Sequence, residues 1–394
     1  MAESEEICSG TDKRKQFGNR LLTDPQNVFE HNAWDNVVWD ETQELEAKMK
    51  TDEQLKHLAA EQDREKYEKE ANMFWDSFYG KHENKFFKDR HWLFTEFTEL
   101  APESYLSKDK LEKLSDNVAT DSTRELNDIQ NDSTDYSGDK SQVVDDNVDA
   151  SKVESMESKS STSMDMVGES MNKADGNDSV ENYPGESAKY RLLEVGCGVG
   201  NTVFPILQAN NDPDLMLYCC DYSSTAIQLV KENVDYNTKR CHAFVCDISD
   251  PSNTIPFPDE SLDIIILIFI LSANHPDKFQ YILNRLAGFL KPGGMILFRD
   301  YGRYDLAQLR FKKGKCLGEN FYVRGDGTRV YFFTQEELRD MMTKAGLIEQ
   351  QNLVDRRLQV NRGKQLKMYR VWIQCKYQKP LNKSEHKTQE ESDR

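Results

Sequence analysis

The second half of this 394-residue sequence predicts a doubly wound α/β domain. Three observations carry the prediction. From Tyr190 onward, short apolar runs alternate with segments of helical spacing. Those runs are apolar nearly throughout, as strands covered by helices on both faces must be. A glycine turn, Gly196-Cys197-Gly198-Val199-Gly200, separates the first run from the first helical segment.

In order, the runs RLLEV, LMLYCCD, HAFVCD, LDIIILIFIL and MILFRD read as strands, and residues 201–209, 223–233 and 275–290 read as helices between them. Pro276 and Asp277 suit a helix start, where a missing N–H costs nothing and negative charge meets the positive end of the dipole. Near the end, LKMYRVWIQCKYQK alternates as one long strand, and Gly363 before it marks a hairpin turn. An antiparallel last strand therefore joins the sheet.

The N-terminal part has a different texture. Over 41–79, Leu45, Met49, Leu55, Leu58, Tyr67, Phe74, Trp75 and Phe78 recur at loosely helical spacing and predict one long or broken helix. Its aromatic end should pack against the α/β domain, the only core available to it. Residues 115–187 hold 18 acidic against 5 basic residues with no Phe or Trp, too little apolar surface to offset the entropy of ordering, so a disordered insert is expected. The tail from Pro380 reads the same way. The expected organisation is an N-terminal arm (1–40), a helical extension (41–114), the acidic insert (115–187), the α/β domain (188–379) and a tail (380–394).

Net charge is -18 and mean hydropathy -0.77, a balance that repels polyanions when taken as an average. The average conceals opposed segments: the insert carries -13, whereas 299–379 carries +9, with 18 basic and 9 acidic residues. Eight cysteines without CxxC spacing, an acidic start and no secretion signal lead us to expect reduced thiols and a cytoplasmic location. The longest apolar run, 262–273, is too short to span a bilayer, and the seven histidines form no ligand-spaced cluster, so neither membrane nor metal is expected.

The sharpest local signal is Glu194 followed by Gly196-x-Gly198-x-Gly200 between a strand and a helix. Glycines let a ligand approach the backbone, and the helix start offers unpaired N–H groups. A dinucleotide would call for GxGxxG. Here the spacing is GxGxG, an acid precedes the first glycine, Asp221 ends the second strand and Asp247 ends the third. That is where an adenosyl ligand lacking pyrophosphate needs carboxylates: Glu194 to anchor the loop or face an ammonium, Asp221 for ribose hydroxyls, Asp247 for the adenine amine. Ile248 and Ile268 would line the adenine. Each acid taken singly also reads as a strand-end residue bonded to its own loop; the four features in register indicate a class I S-adenosylmethionine site on a Rossmann-like sheet.

The acceptor must be read elsewhere. No (N/D)PP(Y/F) turn follows the fourth strand, and no Pro-Cys pair exists to activate a pyrimidine carbon. The acceptor is therefore a group already nucleophilic when neutral. After the fifth strand, Arg299, Tyr301, Arg303, Arg310, Arg324 and Arg329 are interleaved with aromatics, a combination suited to phosphate contact and base stacking in looped RNA. The alternative is that the aromatics are core and the arginines a solvated rim.

The runs GCGVGN, LIFILSANHPDK, LFRDYGRYDLAQLRF and GENFYVRGDGTRVYFF, with WDSFYGKHENKFFKDRHWL upstream, resemble the tRNA N3-methylcytidine methyltransferases of the methyltransferase-like group over 70–106 and 188–376. Phe17-Gly18-Asn19-Arg20 and Asn32-Ala33-Trp34-Asp35 point to one branch of it. The resemblance implies S-adenosylmethionine as cofactor and cytidine 32 of the tRNA anticodon loop as target, with threonine and arginine tRNAs ahead of serine tRNA. It implies that Trp75 and Tyr79 cover the cofactor beside Gly196, Gly198, Asp221, Asp247, Ile248 and Ile268. It places Phe87, Lys88, Arg90 and Trp92 where RNA approaches, and Arg299, Asp300 and Tyr301 near the base, with Asp300 our candidate for stabilising charge that develops on the ring. An accessory tRNA-binding protein fits the small basic surface. The competing readings are a small-molecule or protein methyltransferase on the same cofactor domain, and a non-catalytic adaptor.

Overall fold

Parallel pairing of the apolar runs builds the molecule outward from β2. The computed structural model describes residues 20–90, 92–102 and 181–382. In chain order the strands are β1 (Ala33–Asp35), β2 (Tyr190–Val195), β3 (Leu215–Asp221), β4 (Cys241–Val245), β5 (Leu262–Ile268), β6 (Leu290–Tyr301), β7 (Cys316–Gly318), β8 (Phe321–Val323), β9 (Arg329–Tyr331), β10 (Ile348–Asn361) and β11 (Leu366–Gln378). The helices are α1 (Glu41–Leu55), α2 (Glu61–Lys69), α3 (Ala71–His82), α4 (Leu93–Glu96), α5 (Val203–Ala209), α6 (Ser224–Glu232), α7 (Phe279–Phe289), α8 (Leu306–Arg310) and α9 (Gln335–Lys344).

The main sheet runs β1-β10-β11-β6-β5-β2-β3-β4. Strands β2 to β6 are parallel, and β11, β10 and β1 are added antiparallel. The side chains of β5 alternate between two cores: Ile265 and Leu267 pack with α7 and α9, whereas Ile264, Ile266 and Ile268 pack with α4, α5 and α6. Burying each such side chain contributes about 1.5–3 kcal/mol. A small antiparallel sheet, β7-β8-β9, stands beside the main one.

Some expectations change and others take definite form. The long or broken helix expected over 41–79 is broken into three. Asp40 opens α1 with a capping box shared with Gln43, and the chain then breaks because Ala59 N–H donates to the Cys316 carbonyl at 2.8 Å. Tertiary pairing with β7 overrides the local helical preference. Strand five of the expectation stays, but the fourth run stops at Ile268, because Phe269 has a left-handed backbone with φ of 58°. The expected insert ran to 187, yet 181–187 forms a turn in which Glu181 accepts from the Gly185 and Ser187 amides, and Tyr218 donates to the Pro184 carbonyl at 2.5 Å. The rest of the insert, Phe17-Gly18-Asn19 and the tail beyond 382 lie outside the described residues. Asn32-Ala33-Trp34-Asp35 supplies the edge strand β1, with the Trp34 indole donating to the Val28 carbonyl at 2.8 Å.

Candidate cofactor and acceptor site

The C-terminal ends of the parallel strands open on a cleft of about 510 Å³ that includes its mouth. Gly196 lies on its wall with φ of 67°; a Cβ there would come 2.6 Å from Ile270, so only glycine fits this approach. Asp221, Tyr222, Asp247, Ile248, Phe269 and Ile270 line the rest, and Trp75 and Tyr79 cover it from α3. The two rings stack at 5.8 Å with 26° between planes, as their i,i+4 spacing allows. Tyr79 presses its hydroxyl on Gly198, where a Cβ would sit 2.7 Å away.

The acids do two jobs. Asp221 Oδ2 accepts from Gly198 N–H at 3.0 Å and Oδ1 from Ser223 N–H at 2.9 Å, so the carboxylate ties the glycine loop to the start of α6 while facing the cleft. Asp247 Oδ1 accepts from the Ser249 amide and hydroxyl at 2.8 and 2.6 Å, leaving Oδ2 as its further acceptor. Glu194 is buried at the end of β2. Its Oε1 meets Arg90 at 3.3 Å, Arg90 also donates to Thr202 Oγ1 at 2.6 Å, and Oε2 is a buried acceptor without a partner. Burial pushes the Glu194 carboxyl up to about 7 against the pull of Arg90, and burial pushes Asp221 up to about 6 against its backbone hydrogen bonds.

Among the described residues that line the cleft, two are carboxylates and none is Lys, Arg or His. A pyrophosphate would find no counter-charge there. A cation bearing hydroxyls and an amine fits: acceptors at the strand ends, apolar Ile248 and Ile270, and aromatic faces from Trp75 and Tyr79. S-adenosylmethionine has this chemistry.

At the neighbouring end of the sheet, Asp300 is completely buried. Its Oδ2 accepts from Ser272 N–H at 2.9 Å and its Oδ1 from Tyr301 N–H at 2.8 Å. Burial raises this carboxyl to about 6. Asp300, expected beside the substrate ring, clamps the turn after β5 to the end of β6 and is not among the described residues that line the cleft. Ile268, the last residue of β5, is buried in the core beneath α4, α5 and α6, and Phe269 and Ile270, which follow it, line the cleft.

Residues 193–296 match a family model described as a methyltransferase domain. The tRNA N(3)-cytidine methyltransferase METTL2 of Gallus gallus is 55% identical over 94% of this chain and 96% of that protein. METTL2B of Homo sapiens is also 55% identical, over 94% of this chain and 95% of its own length. A tRNA(Thr) (cytosine(32)-N(3))-methyltransferase of Saccharomyces cerevisiae is 38% identical over 94% of this chain and 47% of its own. The chain belongs to the tRNA N(3)-cytidine methyltransferase family.

Its basic residues sit differently from the expectation for a family member's RNA face. Arg299 is buried between the rings of Trp92 and Trp372, at 5.3 and 5.0 Å, and pairs with Asp355 at 2.7 Å. Arg303 bonds Glu337 at 2.9 Å and the Phe332 carbonyl at 3.0 Å. Arg329 is buried against Phe321 and pairs with Glu68. Arg324 lies over Tyr301 at 5.5 Å, and Arg90 serves Glu194. The interleaved aromatics Phe298, Phe321, Tyr322, Phe332 and Phe333 are core. Of the expected RNA set, Phe87, Lys88 and Arg310 are exposed, and Trp92 and Tyr301 are half-buried. The core alternative for the aromatics therefore holds, with the arginines mostly paired inside the fold.

Sequence reasoning missed the groups that join cover to domain. Asp76 Oδ1 accepts from Ser223 Oγ at 2.6 Å and Thr225 N–H at 3.0 Å, so α3 helps cap α6. Glu68 in α2 bridges Arg329 and Lys278, the latter at 2.9 Å. Both are single acids in a stretch full of acids, and only their distant partners distinguish them.

Proposed function

We propose that this chain methylates N3 of cytidine 32 in the anticodon loop of tRNA, using S-adenosylmethionine. The acidic, base-free cleft at the strand ends carries the cofactor reading; family membership and the tRNA(Thr) cytosine-32 relative support the acceptor. When bound, the cofactor supplies a methyl carbon made electrophilic by its sulfonium. Asp221 would hold the ribose hydroxyls, Asp247 the adenine amine, Ile248 the adenine face, and Gly196 the close backbone approach, with Trp75 and Tyr79 excluding water from above.

Cytosine N3 has an in-plane lone pair at neutral pH, so no side chain has to remove a proton first. What the protein must supply is position and a dry, negatively biased surrounding. Asp300 acts through the elements it clamps. Threonine and arginine tRNAs, ahead of serine tRNA, are the candidate substrates. An accessory tRNA-binding protein belongs to this reading, because most C-terminal arginines are engaged within the fold. So do a cytoplasmic location and the division into arm, helical extension, insert, catalytic domain and tail; no helix among the described residues is long and apolar enough to cross a membrane. The test is transfer of label from S-adenosylmethionine to mixed tRNA with mass analysis of the nucleosides. A labelled product other than N3-methylcytidine, or labelling of protein or small molecules alone, defeats the proposal.

A further inference from the structure

Phe269 is a bulky aromatic residue held at φ of 58°, a region that glycine or asparagine enters far more readily. Two contacts hold it there. Its N–H donates to the Arg299 carbonyl at 2.8 Å, and its ring meets that of Tyr301 at 5.0 Å and 45°. The Asp300 carboxylate reinforces the arrangement, since it grips Ser272, three residues after Phe269, and the Tyr301 amide. A fully buried acid is thus spent on fixing two aromatic residues from two adjacent strand ends.

Strand order says where those residues lie along the cleft. Asp247 follows β4, Asp221 ends β3 and Gly196 follows β2, so the adenine, ribose and amino-acid parts of the cofactor spread across neighbouring strands. The next two strands in the sheet are β5 and β6, whose ends carry Phe269 and Tyr301. The acceptor must meet the cofactor from this side. Phe269 lines the cleft itself, and the Arg324 guanidinium lies over Tyr301.

We propose that Phe269, paired with Tyr301, is the stacking surface that orients the target pyrimidine in its plane toward the methyl group. The inference rests on the reading of this chain as a cytidine methyltransferase. A flat ring under the base restricts it to motions within its plane, which is what attack by an in-plane lone pair requires. With this backbone the half-buried ring packs on the core that holds Ile268 and also lines the cleft.

The experiment compares wild-type protein with Phe269→Gly, Phe269→Leu and Phe269→Tyr in single-turnover methylation of tRNA, alongside S-adenosylhomocysteine affinity and thermal melting. Glycine suits the backbone and removes the ring; leucine keeps apolar volume without a flat face. The expected result is a loss of methylation rate at saturating tRNA of about tenfold or more for Gly and Leu, near wild-type rate for Tyr, and cofactor affinity within about threefold throughout. Retained rate in a folded Gly or Leu variant overturns the proposal. So does a rate loss matched by an equal loss of cofactor affinity, which would make Phe269 part of the cofactor wall alone. A wild-type protein inactive on tRNA but active on another acceptor overturns the underlying reading and this inference with it, whereas an active wild type with indifferent variants overturns only the inference.

Discussion

Replacing Asp76 by alanine should weaken cofactor binding although Asp76 does not line the cleft. Its carboxylate accepts from Ser223 Oγ, Thr225 N–H and, at 3.5 Å, Ser224 Oγ, while Ser223 N–H donates to Asp221. Ser223 Oγ also caps the Ala226 amide at 3.1 Å. One residue of the cover therefore braces the bend that aims Asp221. Losing a charge-assisted cap costs about 1–2 kcal/mol, which converts to roughly 5–30-fold in affinity if it falls on the bound geometry. Asparagine is as good a cap, so Asp76→Asn should stay within about threefold. Burial pushes the Asp76 carboxyl up, but the hydrogen bonds from Ser223, Thr225 and Ser224 outweigh it and leave the group below the usual aspartate range. Its contribution is then fully present above that range and is lost only as pH falls through the lowered value. Titration calorimetry with S-adenosylhomocysteine at neutral pH measures the effect. Equal affinity in folded Asp76→Ala protein would mean that the cover and the ribose loop are mechanically separate and that Asp76 does not brace Asp221.

Raised carboxyls at Glu194 and Asp221 make the unliganded fold hold protons that the unfolded chain releases, so its stability falls as pH rises from the ordinary acid range toward about 7. Binding a cationic cofactor favours the charged forms, so affinity should rise across the same window with proton release, measurable by calorimetry in buffers of different ionisation enthalpy; Glu194→Gln should flatten the upper part. Glu68→Gln strips the partner from buried Arg329 and from Lys278, with an expected loss of about 3 kcal/mol in chemical denaturation. Arg299→Ala, which leaves buried Asp355 with one guanidinium fewer and takes one cation from the faces of Trp92 and Trp372, should destabilise by about 3 kcal/mol or more, whatever the RNA. Exposed Arg310→Ala should instead leave melting unchanged and reduce the salt dependence of tRNA binding by about one counterion.

Much of the catalytic domain was legible in its chain order. Alternating apolar runs specify buried parallel strands, and a glycine turn between Glu194 and Asn201 with acids at 221 and 247 specifies a ligand without pyrophosphate, because these are local patterns read through one strand and its next turn. Tertiary structure alone decided which charges are used up. Arg299, Arg303 and Arg329 look like an RNA surface in sequence, yet their partners Asp355, Glu337 and Glu68 come from other elements, and burial between Trp92 and Trp372 makes Arg299 part of the core. It also decided that Phe269, left-handed at the end of its strand, lines the cleft while packing on the core that holds Ile268. Sequence specified the strands, the turns and the kind of ligand; pairing across distant segments specified which side chains remain available to a substrate, since the cost of burying an unpaired charge forces each one to find its partner wherever the fold supplies it.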